Sequence, residues 1–201
     1  MKAVIFGTTT LVAAAALGLY AWQSLTAAPQ PCGNTAVAGS AIGGPFELVS
    51  ETGEIVTEAD VITKPTLVYF GYTFCPDVCP LDSARNAQAA YMLEDQGIDL
   101  GTVFISVDPQ RDTVEVVRDF TDNFHENMIG LTGSAEQVKA ASQAYKTYYH
   151  ANDDDPEYYL VDHSTQTYLM FPDTGLATFF RRDDTPEQVA EISACFINQL
   201  S

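Results

Sequence analysis

The apolar positions of the chain follow two rhythms that alternate along most of its length. Residues 65–70 and 102–107 are short, nearly continuous apolar runs rich in β-branched and aromatic side chains, the pattern of strands buried on both faces. After them the spacing changes to the period of amphipathic helices, over residues 81–93, 113–124 and 134–149. Ser134 with Gln137 makes a capping-box pattern, and Asp112 or Thr113 is positioned to cap the helix before it. Residues 128–131 form a short strand or link. Two more strands are predicted at 158–161 and 167–171, then a Pro172-Asp173-Thr174-Gly175 turn and a returning strand at 176–180. The last helix opens at Thr185-Pro186-Glu187, with Thr as cap and Pro at the first helical position. At the other end, residues 46–49 alternate, residues 51–54 turn, and residues 55–56 pair back. Strands alternating with helices predict an α/β fold, a central mixed sheet flanked by helices, to which the late hairpin adds antiparallel strands.

The first 45 residues have a different pattern. After Lys2 no charged residue occurs until Glu47. Residues 3–22 are a mostly apolar run of about the 20 residues a membrane-spanning helix requires. It ends at Tyr20 and Trp22, aromatic residues that favour a membrane interface. Lys2 places its start on the cytoplasmic side and the rest of the chain beyond the membrane. Ser24-Leu25-Thr26-Ala27-Ala28 offers small residues for cleavage of a signal peptide, but the run is longer than an ordinary signal core, which favours a retained anchor. No Arg-rich, Ser-rich mitochondrial leader is visible. Residues 26–44, rich in Ala, Gly and Pro, read as a linker. The expected organisation is an anchor at 1–25, a linker at 26–44 and one domain at 45–201. It suits a single-pass protein of the bacterial inner membrane with its soluble domain in the periplasm.

Charge narrows the partners. Nine basic against 27 acidic residues give a net charge of −18. Nucleic-acid binders need Lys and Arg to displace counterions, so that class is excluded. An acidic surface fits a cation, a basic partner or plain solubility.

The cysteines carry more. Cys75 and Cys79 lie between the strand at 65–70 and the helix at 81–93, where the helix N-terminus favours thiolate. A thiol pair at the end of the first core strand and the start of the first helix is the thioredoxin-like placement. Positions four apart share a helical face, so both sulfurs can point at one ion, and two thiolates suit soft metals, above all Cu(I). A redox pair and a plain disulfide remain as alternatives. His125 and His150 fall at predicted helix ends, where a cation complements the dipole. His163 ends a predicted strand and stands either as a third ligand or as an ordinary loop residue. Met92, Met128 and Met170 lie in apolar contexts and are assigned to the core. Asp153, Asp154 and Asp155 lack the spaced ligands and closing Glu of a calcium loop and read as a solvated run.

Three segments carry a resemblance to a known family. They are Gly71-Tyr72-Thr73-Phe74-Cys75-Pro76-Asp77-Val78-Cys79-Pro80, Ser106-Val107-Asp108-Pro109-Gln110-Arg111-Asp112-Thr113, and Tyr159-Leu160-Val161-Asp162-His163-Ser164. In this order they resemble the three motif blocks of the Sco/SenC family, thioredoxin-like, membrane-anchored copper proteins needed to assemble the dinuclear CuA centre of cytochrome c oxidase. The likeness spans about residue 45 to the C-terminus. It implies that Cys75, Cys79 and His163 are ligands of copper, as Cu(I) and in many relatives Cu(II). It implies the CuA domain of oxidase subunit II as partner, with another periplasmic copper chaperone and a thiol reductant as further candidates. The implied function is copper delivery by a metallochaperone rather than an enzyme. The alternative is a thiol–disulfide oxidoreductase in which Cys75 and Cys79 reduce the CuA-site cysteines. A thiol peroxidase on the same fold would need an activating Arg near the thiolate, and the turn carries none.

The residues agree with this. Two sulfurs and one nitrogen make a nearly trigonal site that Cu(I) accepts and that leaves the ion open to a partner's ligand. Neutral imidazole is required, so binding is expected to weaken below about pH 6. Asp108 and Asp162 are placed to orient His163 or tune the site, Asp108 being equally a turn residue before Pro109. Asp77, expected to be exposed between the thiols, would raise their pKa slightly. Phe74 and Gln110 depart from the commonest family pattern, which carries His and Glu there, without touching the three implied ligands. Cys32 and Cys195 fall outside the motif blocks. A disulfide between them would tie the linker to the domain, a stabilisation of about 4–5 kcal/mol in the chain-entropy model. A free Cys195 buried beside Ile192 and Phe196 is the alternative. The soluble domain is expected to be monomeric.

Overall fold

The two continuous apolar runs become the centre of one sheet. β3 (Thr66–Gly71) and β4 (Gly101–Ser106) are buried at every position and pair in parallel, Thr66 opposite Gly101 through Gly71 opposite Ser106. They belong to a computed structural model that describes Cys32, residues 41–152 and residues 158–200. The anchor predicted at 3–22, most of the linker and the acidic run at 153–155 lie outside the described residues. Among the described residues no helix is long and apolar enough to cross a membrane. The chain divides into two compact units, Met1–Asn34 and Thr35–Ser201. Of the first unit Cys32 is described; it is buried and in disulfide form.

The second unit is the α/β domain. Its strands continue with β1 (Glu47–Ser50), β2 (Ile55–Thr57), β5 (Met128–Thr132), β6 (Tyr149–Ala151), β7 (Val161–His163), β8 (Thr167–Phe171) and β9 (Gly175–Phe180). Its helices are α1 (Glu58–Val61), α2 (Val78–Glu94), α3 (Val114–Thr121), α4 (Ala135–Ala144) and α5 (Pro186–Leu200). Seven strands form a sheet in the order β2-β1-β5-β4-β3-β8-β9. The β3–β4 and β4–β5 pairs are parallel, with α2 and α3 as the crossovers that parallel pairing requires, and the outer pairs are antiparallel. β6 and β7 form a separate two-stranded antiparallel ribbon. The expected mixed sheet with flanking helices and a late hairpin is what is found.

Several details differ from expectation. The helix predicted over 134–149 ends at Ala144 with its capping box intact at Ser134 and Gln137. Lys146 takes a φ of 53° and Thr147 N–H returns to the Ser142 carbonyl, so the chain turns and residues 149–151 pair with β7 instead. Tertiary pairing wins there over helical spacing. His150 is therefore exposed on β6 opposite Asp162, not at a helix end. His125 lies beyond α3 and is buried: its Nδ1 accepts from Asn127 N–H at 3.1 Å, its Nε2 is 3.3 Å from Glu94 Oε1, and Tyr91 covers the ring. It pins the end of α2 to the entry of β5 rather than capping a dipole. Finally, the strand predicted at 158–161 forms at Val161–His163, which puts His163 on the ribbon itself. Thr113, not Asp112, caps α3. Met128 and Met170 are buried, whereas Met92 is only half-buried.

Candidate metal and thiol site

β3 delivers the chain to the site. It ends at Gly71, where an added Cβ would come within 2.8 Å of Tyr69 Cε1 and 3.0 Å of Cys79 Sγ, so the bare backbone is what lets the sulfur approach the strand. The chain then turns, with Cys75 N–H donating to the Tyr72 carbonyl, and enters α2 at Val78. Cys75 precedes the helix and Cys79 lies in its first turn; both are buried and both are free thiols. The ribbon brings His163 to the same point. The Sγ atoms of Cys75 and Cys79 and a ring nitrogen of His163 all lie within 4.8 Å of one another. Cys79 Sγ is 3.2 Å from His163 Nε2.

The three groups are electronically unequal. Cys75 is held below the ordinary thiol range, first by a hydrogen bond from the Cys79 side chain and then, against its partial burial, by the backbone N–H groups of Asp77, Cys79 and Val78 at the start of α2. The Cys79 N–H contact to Cys75 Sγ is 3.4 Å. Asp77 thus acts through its backbone, lowering Cys75 rather than raising it. Cys79 moves the other way, pushed up by its bond to Cys75 and by burial. Its sulfur faces two acceptors, the Cys75 sulfur and the imidazole. His163 Nδ1 is 2.8 Å from the Ser164 carbonyl, which can only accept. That fixes the proton on Nδ1 and leaves Nε2 a lone pair aimed at the sulfurs. Tyr72 and Tyr69 meet the imidazole edge-on at 5.7 and 6.2 Å and confine its plane.

The orienting partner of His163 is therefore Ser164, in place of the expected Asp108 or Asp162. Asp162 is exposed. Asp108 is buried, and its oxygens accept from Arg111 Nε and the Tyr159 hydroxyl. Asp112, expected at most as a cap, is a buried anchor of the thiol turn. It accepts from Thr73 N–H at 3.0 Å, from Thr73 Oγ1 at 2.6 Å and from Ser106 Oγ at 2.6 Å. Burial raises its pKa against these bonds. Beneath Cys79, Tyr69 donates to the buried Asp82, which pairs with Arg85. Arg85 in turn reaches Thr167 and the Arg181 carbonyl, joining α2 to β8 and the end of β9. Spacing signals none of these; the only clue available for Asp108 and Asp112 was an Asp inside a motif block. Cys195, like Cys32, is in disulfide form.

A thioredoxin-like α/β domain that converges two unequal thiols and one oriented imidazole belongs to the proteins built for soft metals or dithiol exchange. The comparisons are more specific. The model of the SCO1/SenC family matches residues 34–198, and the chain belongs to that family. It is 55% identical over 166 residues to Protein SenC of Rhodobacter capsulatus, covering 83% of this chain and 75% of that one. It is 41% identical over 153 residues to the mitochondrial Protein SCO1 homolog 1 of Arabidopsis thaliana, covering 76% of this chain and 46% of that one. The crystal structure of Arabidopsis thaliana ScoI with copper bound superposes with a TM-score of 0.74 at 38% identity, over 80% of this chain and 99% of that one.

Proposed function

We propose that the protein holds copper on Cys75, Cys79 and His163 and delivers it to the CuA centre on subunit II of cytochrome c oxidase. The observation that carries this reading is the convergence of two sulfurs and one ring nitrogen within 4.8 Å, with the nitrogen's tautomer already set by Ser164. The donor set fits the cargo: thiolate and imidazole are soft and borderline ligands, and three of them satisfy Cu(I) while leaving a coordination face for exchange. Cys75 offers its sulfur as thiolate, Nε2 of His163 offers its lone pair, and Cys79 must release its proton on uptake. Loading therefore releases a proton, and acid opposes it. Phe74 and Pro76 are exposed beside Cys75, where a partner would approach. In this reading residues 1–25 anchor the chain in a bacterial inner membrane, 26–44 span outwards, and 45–201 work in the periplasm.

The inequality of the thiols favours a second reading. A nucleophilic Cys75 backed by a protonated, buried Cys79 suits reduction of the CuA-site cysteines. The Cys75 thiolate would attack the partner's disulfide, releasing one thiolate. Cys79 would then lose its proton and displace the second, leaving a Cys75–Cys79 disulfide and a reduced partner.

One experiment separates the two. The reduced chain, loaded with Cu(I) or copper-free, is mixed with the soluble CuA domain in its dithiol or disulfide form. Delivery predicts that copper moves to the dithiol form and that the copper-free chain reduces the disulfide form slowly. Rapid reduction by the copper-free chain, unaffected by His163→Ala and without copper transfer, would establish the reductase reading instead.

A further inference from the structure

His163 sits on a structure that cannot place it unaided. β6 and β7 are three residues each and stand outside the seven-stranded sheet. A two-stranded ribbon is marginal alone, so its distance from the thiols must be fixed from elsewhere. The loop from Val107 to Thr113, between β4 and α3, touches both halves of the site. Toward the thiols it offers Asp112, which grips Thr73. Toward the ribbon it offers Arg111.

Arg111 makes contacts in three directions. Its Nε donates to Asp108 Oδ2 at 2.5 Å, which fixes the guanidinium to its own loop. Its Nη1 donates to the Tyr159 carbonyl at 2.9 Å, on the segment that leads into β7. Its guanidinium carbon lies 3.6 Å from the centroid of the Tyr159 ring and 4.8 Å from that of Phe74, the residue before Cys75. Tyr159 closes the arrangement by donating its hydroxyl to Asp108 Oδ1 at 2.6 Å. Asp108, Arg111 and Tyr159 are thus mutually bonded, and the same guanidinium stacks on both chain segments. Only a planar group with donors around its edge can do this; a lysine offers a point charge without a stacking face.

We propose that Arg111 is a positioning residue that clasps the His163 ribbon to the thiol turn and so sets the distance between Nε2 and the two sulfurs. It touches none of the three donor atoms. The proposal deepens the copper reading of the site, and one arm of its test needs no metal.

The test uses the 201-residue chain with Arg111→Leu and with Arg111→Lys, which keeps the charge and guards against a leucine variant that fails to fold. In the metal-free arm, amide hydrogen exchange is followed at residues 161–164 and in β3 and β4. The clasp predicts exchange faster by about tenfold or more at 161–164 in both variants, with β3 and β4 unchanged, as for a local opening. Unchanged protection of the ribbon, or faster exchange throughout the domain, would overturn it. In the metal arm, Cu(I) affinity is measured by competition with and without His163→Ala. Losing an outer group that orients a ligand costs about 10–100-fold, so that loss is expected in the His163 background. In the His163→Ala background the same substitution should change affinity by less than about threefold, since no imidazole remains to be placed. Equal losses in both backgrounds, or no loss in either, would refute a positioning role. Weak binding by the unsubstituted chain would refute the copper reading, and the exchange arm would still decide the clasp.

Discussion

Cys75 and Cys79 are the same chemical group four positions apart, and their surroundings pull them in opposite directions. The Cys79 side chain and the amides at the start of α2 favour the Cys75 thiolate, while the bond to Cys75 and burial keep Cys79 protonated. A thiol with depressed pKa stays reactive as the pH falls; one with raised pKa loses reactivity first. Mapping iodoacetamide adducts between pH 5 and 8 should therefore show Cys75 alkylated well below the ordinary thiol pKa of about 8.5, with Cys79 unmodified. Equal labelling of the two, or preference for Cys79, would contradict the electronic asymmetry. Gly71 supports the same pair. Gly71→Ala pushes a methyl against Tyr69 and Cys79 Sγ, and overpacking of this kind typically costs about 1–3 kcal/mol, measurable by urea unfolding. The three residues that converge here could be singled out in the sequence, Cys75 and Cys79 by their spacing and His163 only by the resemblance of its motif block, since the residues alone left it open. The Ser164 carbonyl was not legible: every residue has a carbonyl, and only geometry tells which one faces Nδ1.

At the scale of elements, the site is a meeting of a helix N-terminus and a ribbon, both held by the 107–113 loop. Asp112 is the tie on the thiol side. Asp112→Ala leaves Thr73 N–H, Thr73 Oγ1 and Ser106 Oγ without their acceptor. It should destabilise the domain by at least about 1–3 kcal/mol in denaturant unfolding and speed backbone exchange around Thr73. A variant as stable as the parent would show that the turn is held by other means. The central strands β3 and β4 were readable because burial on both faces writes a continuous apolar run. The α4 boundary was misread because Thr147, Tyr148 and Tyr149 fit either a helical spacing or a strand, and pairing with β7 decides between them. Asp108, Arg111 and Tyr159 stand 51 positions apart at their extremes in the Tyr159–Asp108 bond, a separation that no local pattern encodes.

At the scale of the whole molecule, two cysteines are free and two are in disulfide form, so the chain separates structural from chemical sulfur. We propose that Cys32 and Cys195 are bonded to each other. Mass spectrometry of the non-reduced protein should then find their two peptides linked, and replacing both with Ser should lower stability by about 4–5 kcal/mol. An alkylatable Cys32 would refute the pairing. The charge of −18 suits a partner with a basic docking face, and raising salt would slow association with such a face. Whether copper is held by two sulfurs and the ribbon histidine together is decided by one measurement above the others. Cu(I) affinity of the reduced chain is compared with that of His163→Ala by competition against a Cu(I) chelator. Tight binding is predicted, with a loss on substitution exceeding the 10–100-fold typical of an outer-shell change, about the largest effect that a mere supporting group would produce. Weak binding in the parent chain, or an affinity that His163→Ala leaves unchanged, would rule out copper held by all three groups.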